Sequence, residues 1–141
     1  MYIGIDFGSV RMGISVSDDS NIIAVPYGSI GWAEADHGWA ELHSLIMERQ
    51  PAGIIVGLPK QLNGTEGAAA EQARDFAHQV EEHFGISAIL WDERLTTVEA
   101  ARLMRMMGMS SKKQRTRIDA HAATIMLQSW LDWHQSRTAQ R

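Results

Sequence analysis

The chain predicts an α/β fold: a mixed five-stranded sheet in the order βββαβαβα, with helices on both faces. Three observations predict it. The first 27 residues hold three short runs of alternating bulky and small or polar side chains. Residues 34–91 then alternate helical apolar stripes with short apolar runs. One of those runs, Ile54-Ile55-Val56-Gly57-Leu58, is continuously apolar, as expected of a strand covered on both faces.

Tyr2 to Phe7 reads as the first strand, and Gly8-Ser9 as a turn. Met12 to Ser17 is the second strand, with Ile14 and Val16 set against Ser15 and Ser17. Asp18-Asp19-Ser20-Asn21 is turn chemistry. Ile22 to Tyr27 is a third strand, and Pro26 marks it as an edge or an end. The three predict an antiparallel meander. Glu34 to Gln50 carries Trp39, Leu42, Leu45 and Ile46 at helical spacing and is stopped by Pro51 and Gly53. Ile54 to Leu58 is the fourth strand, and Pro59 to Gly67 a loop. Ala68 to Phe84 is a helix closed by Gly85. Ile86 to Trp91 is the fifth strand. Thr96 with Glu99 forms a capping box for a further helix that stops at Gly108. A last helix runs from about Ile118 to about His134. No internal repeat or linker interrupts the 141 residues, so one domain spanning 1–141 is expected.

Composition narrows the function classes. There is no cysteine, which removes disulfides, thiolate metal sites and a cysteine nucleophile, and fits a cytoplasmic protein. No apolar run approaches the roughly 18–20 residues a bilayer crossing needs, and Met1 leads directly into the first strand without a signal-peptide pattern. The net charge is −4, but it is unevenly spread. Residues 1–101 carry −10 and residues 102–141 carry +6. Arg102, Arg105, Lys112, Lys113, Arg115 and Arg117 fall in one stretch with no intervening acid. Such a stretch is either a solvated helix end and loop or a surface that tracks phosphates.

Three acidic positions stand out. Asp6 ends the first strand, Asp92-Glu93 ends the fifth, and Asp119 opens the last helix on its apolar face. Each has an ordinary reading: a strand-end turn residue, solvated loop charges, a helix cap. If the first and fifth strands are neighbours and the last helix packs on them, the three converge. Three converging anions repel unless a cation sits between them, and a hard divalent ion with oxygen ligands, Mg2+ or Mn2+, meets that need. Two such ions can activate a water and stabilise the leaving oxygen of a phosphodiester. Gly8 would let a phosphate approach the backbone, and Arg94 and Arg11 would pair with phosphate. A basic stretch beside an acidic site suits a nuclease acting on RNA or branched DNA. No P-loop, dinucleotide fingerprint, nucleophile elbow or H-E-x-x-H is present. The histidines show no ligand spacing, and Trp130 with Trp133 marks either core or a homodimer surface.

These residues fall into four blocks that resemble the YqgF/RuvX family. The first is Ile5-Asp6-Phe7-Gly8 with Arg11-Met12-Gly13-Ile14-Ser15-Val16-Ser17-Asp18. The second is Val56-Gly57-Leu58-Pro59 with Asn63-Gly64 and Glu66-Gly67. The third, the most specific, is Leu90-Trp91-Asp92-Glu93-Arg94-Leu95-Thr96-Thr97. The fourth is Ile118-Asp119-Ala120 with Ala122-Ala123 and Leu127-Gln128. The resemblance spans nearly the whole chain in order. It implies an RNase H-like fold and either maturation of the 5′ end of pre-16S ribosomal RNA, with pre-ribosomal particles as partners, or Holliday-junction resolution. It implies an acidic triad of Asp6, Glu93 and Asp119, choosing Glu93 over Asp92. Two departures thin the positive charge the family places nearby: Val10 stands where a lysine is common, and Ala120 or His121 occupies another such position. Two further readings of the residues stay open: a nucleic-acid- or ribosome-binding module with little catalysis, and a fragment of an actin-like phosphotransferase.

Overall fold

In a computed structural model, residues 1–32, 34–60, 63–93 and 115–139 are described, without the side chains of 35, 115–119 and 139. The predicted helix between Thr96 and Gly108, with its Thr96/Glu99 capping box, lies outside the described residues, as do Arg94, Lys112 and Lys113.

Strands β1 (Tyr2–Asp6), β2 (Arg11–Ser17) and β3 (Ala24–Gly31) form the expected antiparallel meander. Helix α1 (Ala35–Arg49) returns the chain to β4 (Gly53–Leu58), which pairs parallel with β1. Helix α2 (Ala68–Phe84) leads to β5 (Ala88–Asp92), parallel to β4. Helix α3 (Arg115–Ala139) closes the described chain. The sheet order is β3-β2-β1-β4-β5. Thus β1 and β5 are not the neighbours on which convergence of the three acids was premised; β4 lies between them.

The third strand runs to Gly31, four residues past the predicted end at Tyr27. The pairing skips from Ser15↔Pro26 to Ile14↔Gly28, so the strand continues through a bulge in which Gly28 takes φ 157°. Pro26 is tolerated because β3 is an edge strand.

Alternation along the strands sorts side chains between two cores. Ile3, Ile5, Ile54, Val56 and Leu58 pack against Leu42, Leu45 and Ile46 of α1 and Ala73, Phe76 and Val80 of α2. On the opposite face, Ile55 packs with Met126, Leu127, Trp130 and Leu131 of α3. Both crossover helices therefore share one face, and α3 alone among the described helices covers the other.

Contact between α3 and the sheet is very close at Gly4. The Ser15 hydroxyl donates to the Ala123 carbonyl at 2.8 Å. A Cβ at Gly4 would meet the Ser15 hydroxyl, lie 2.8 Å from Leu127 Cβ and lie 3.1 Å from the Ala123 carbonyl oxygen. Gly4→Ala must push the helix off the strand, and overpacking of this kind costs about 1–3 kcal/mol. A reduced urea midpoint with unchanged m-value is the expected result.

Candidate active site

Asp6 is the last residue of β1 and is half-buried. Even-numbered β1 residues face α3, since Tyr2 packs with that core and Gly4 lies under Leu127. Asp6 therefore faces the α3 side, at the carboxyl end of a central strand. Open α/β sheets commonly bind ligands beyond the carboxyl ends of their strands.

Glu93 follows the last residue of β5, two strands away. Adjacent strands are about 4.8 Å apart, so a side chain on the intervening strand would separate the two acids. That position is Gly57. The pairing Gly57↔Trp91 continues the row in which Asp6 follows Ile5↔Val56. A Cβ at Gly57 would meet the Glu93 carboxylate, and would lie 3.0 Å from Glu93 Cγ and 2.8 Å from the Met126 sulfur. The Glu93 side chain thus lies across the bare backbone of β4 and hydrogen-bonds to Asp6. Burial pushes the Glu93 carboxyl up to about 8, helped by the hydrogen bond with Asp6 and by the negative charges of Asp6 and Asp92.

A pH prediction follows for the metal-free protein. The folded form holds the Glu93 proton to about pH 8, whereas the unfolded chain loses it near 4.5. Between those values the native state binds more protons, so stability falls as pH rises and levels off above about 8. Glu93 is partly solvated and water screens much of the repulsion, which leaves a slope totalling roughly 1–3 kcal/mol. Urea unfolding in chelator at pH 5, 7 and 9 should show this slope. Glu93→Gln should remove it.

Arg11 is exposed at the start of β2. Asp6 pairs with Gly13, and Arg11 lies two residues before Gly13, so Arg11 shares the face and end of the sheet occupied by Asp6. A Cβ at Gly8 would lie 2.5 Å from the Arg11 carbonyl oxygen, so this glycine closes the turn that leads into Arg11. Val10 is 69% exposed, whereas Ala120 and His121 are buried. A side chain at position 10 therefore bears on the charge of the surface, whereas those at 120 and 121 are enclosed by the protein.

Helix α3 begins at Arg115, three residues before the predicted start. Asp119 is therefore in the second turn and does not cap the helix; its first turn contains no acid. Arg115 and Arg117 belong to the helix and not to a loop. Trp130 packs tilted against Tyr2, and the Ala123 carbonyl accepts from Ser15 beside Gly4, so α3 runs antiparallel to β1. One further turn, about 6 Å, carries its backbone from Ala123 to Asp119, toward the Asp6 end. The side chains of Arg115, Arg117 and Asp119 lie outside the described ones. Among the described residues no group of three His, Asp or Glu could hold a metal ion.

Sequence reasoning missed Gly57. Its signal was present: a glycine inside a fully apolar strand marks a place where something approaches the backbone closely.

The family described as RuvX, Holliday junction resolvase, matches residues 1–133. The chain belongs to the RuvX family. Relatives named "Putative pre-16S rRNA nuclease" include one from Leuconostoc citreum, 42% identical over 92% of this chain and 93% of the relative. Another, from Anaeromyxobacter, is 37% identical over 93% and 96%. A third, from Mycobacterium leprae, is 39% identical over 99% of this chain and 76% of its own. Among solved structures, Thermus thermophilus RuvC in complex with a Holliday junction superposes with a TM-score of 0.61. It is 12% identical and matches over 94% of this chain and 95% of RuvC. Likeness at that identity establishes a shared fold, the RNase H-like arrangement expected of RuvX proteins. No helix among the described residues is long and apolar enough to cross a membrane.

Proposed function

We propose that this RuvX protein is a single-domain, cytoplasmic nuclease that hydrolyses phosphodiester bonds with Mg2+ or Mn2+. The observation that carries the reading is the Asp6–Glu93 pair, drawn together across Gly57 at the carboxyl end of β1. Two adjoining carboxylates, one holding its proton to about 8, make an oxygen-rich set that a hard cation neutralises. Asp6 and Glu93 would hold the ion, and Asp119 of α3 would be the third ligand. A bound divalent ion there supplies an acidified water and neutralises charge on the leaving oxygen. Arg11 and Arg94 hold the phosphates flanking the cleaved bond. Lys112, Lys113, Arg115 and Arg117 track the strand beyond, and the Gly8 turn brings backbone close to it.

The preferred substrate is the 5′ end of pre-16S ribosomal RNA, supported by the names of relatives 37–42% identical to this chain. The family description favours a second substrate, four-way DNA junctions. Purified protein should cleave one of these with Mn2+ and stop when EDTA is added. A protein that binds RNA in a salt-sensitive way yet cleaves neither substrate with any divalent ion is a binding module, and the nuclease reading fails.

A further inference from the structure

The sheet carries a second feature at the same end, on the face opposite Asp6. Phe7 follows Asp6 directly, and alternation turns its ring toward α2, where it stacks on Phe76 with centroids 4.6 Å apart. Trp32 packs edge-on against both rings, and Trp39 stacks on Phe76. These four aromatics wall a cavity of about 360 Å³, within the usual range of roughly 300–1,000 Å³ for small-molecule sites. Phe7, Trp32 and Trp39 are only half-buried.

The walls are held in place. A Cβ at Gly38 would meet the Trp32 ring, so this glycine of α1 is the seat on which the indole rests. The Trp32 backbone N–H donates to the Val10 carbonyl at 2.7 Å, which ties the aromatic wall to the turn joining Asp6 and Arg11. The remaining rim is polar. Gln72, Asp75 and Gln79 project from one face of α2 and are exposed.

We infer that this cavity takes a nucleobase of the substrate strand, close to the cleaved bond, with its ring against Trp32 and its pairing edge toward Asp75 and the two amides. Every base has a π face, so aromatic walls suit bases in general. The rim narrows the choice. Among the described lining residues there is no Lys or Arg to receive a phosphate, and the Asp75 carboxylate repels one. Acceptors at Asp75 and the glutamine oxygens favour a base that presents N–H donors, guanine above uracil. Position argues the same way. Phe7 and Asp6 are consecutive, so a strand whose phosphate lies at Asp6 needs only to pass the Gly8–Ser9 turn for a neighbouring base to drop to the other face. The base must be unpaired, so the cavity selects a single-stranded or splayed segment beside the scissile bond.

The proposal rests on the nuclease reading for its substrate, but binding tests it without cleavage. Labelled single-stranded RNA is titrated against the full-length protein in EDTA, with fluorescence anisotropy as the readout. A series of strands carries an abasic nucleotide at successive positions. One position should weaken binding about 5- to 100-fold. Trp32→Leu should weaken binding of the intact strand similarly, with no further loss on the strand abasic at that position. Asp75→Ala, at an exposed rim residue, should reduce the preference for guanine over uracil there while circular dichroism is unchanged. Equal losses by Trp32→Leu on intact and abasic strands, or no position that responds, would overturn the cavity's role. Base-dependent binding without cleavage in Mn2+ would overturn the nuclease reading and leave the base site standing.

Discussion

Asp6→Asn should reduce metal-dependent cleavage by at least about 10³-fold while leaving the protein folded. One ligand oxygen becomes an amide, and the charge that attracts the cation falls. The change removes an interaction that counts most in the transition state, so kcat should fall with kcat/KM. The same substitution relieves repulsion on Glu93 and replaces its hydrogen-bond partner by a neutral one. The Glu93 pKa should drop but stay above 4.5, because burial, the largest cause, remains. The variant should therefore show a shallower loss of stability between pH 5 and 8 in chelator. It should also lose most of the thermal stabilisation that Mn2+ gives the wild type. Activity that persists in Asp6→Asn, measured with Mn2+ on the preferred substrate, would remove Asp6 from the active site.

Gly57→Ala should also be damaging, by about a factor of ten less, though the residue touches no substrate. Its methyl group needs the space taken by the Glu93 carboxylate and lies 2.8 Å from the Met126 sulfur. Met126 is flexible and gives way at modest cost. Glu93 cannot give way without leaving Asp6. Misplacement of a reacting group by about 1 Å costs roughly 10²-fold in rate. The expected result is a fall in kcat of that order with a stability loss of about 1–2 kcal/mol. A Glu93 displaced from Asp6 is also freed from one source of its raised pKa, so the pH dependence of urea unfolding should flatten in parallel. If cleavage is intact while stability falls, Glu93 has no part in the chemistry.

The two experiments separate ligand loss from ligand displacement. Asp6→Asn changes the donor set without moving the backbone. Gly57→Ala leaves all carboxylates present and changes only where one of them rests.

Local patterns fixed much of the architecture. The bounds of α2 were legible to the residue because Gly67, a helical apolar stripe and Gly85 in the left-handed conformation all agree. β4 was legible because burial on both faces demands an uninterrupted apolar run. In β3 the bulge breaks the alternation, so the pattern alone ends the strand at Tyr27 while pairing continues to Gly31. The last helix begins before its apolar stripe does, since Arg115 to Arg117 carry no apolar periodicity.

The positions of the acids were also legible, as charges at strand ends, although each has an ordinary reading there when taken alone. What the sequence by itself determined, then, is which segments become strands and helices, and that Asp6 and the Asp92-Glu93 pair lie at the ends of two of the strands. Both follow from short-range rules: side-chain period, turn chemistry and the cost of burying a charge. Only the tertiary structure decided that β4 separates those strands and that a bare glycine lets one carboxylate reach the other. Strand order is set by crossover connections and by helices packing across the sheet, contacts between residues far apart in the chain that no local pattern encodes.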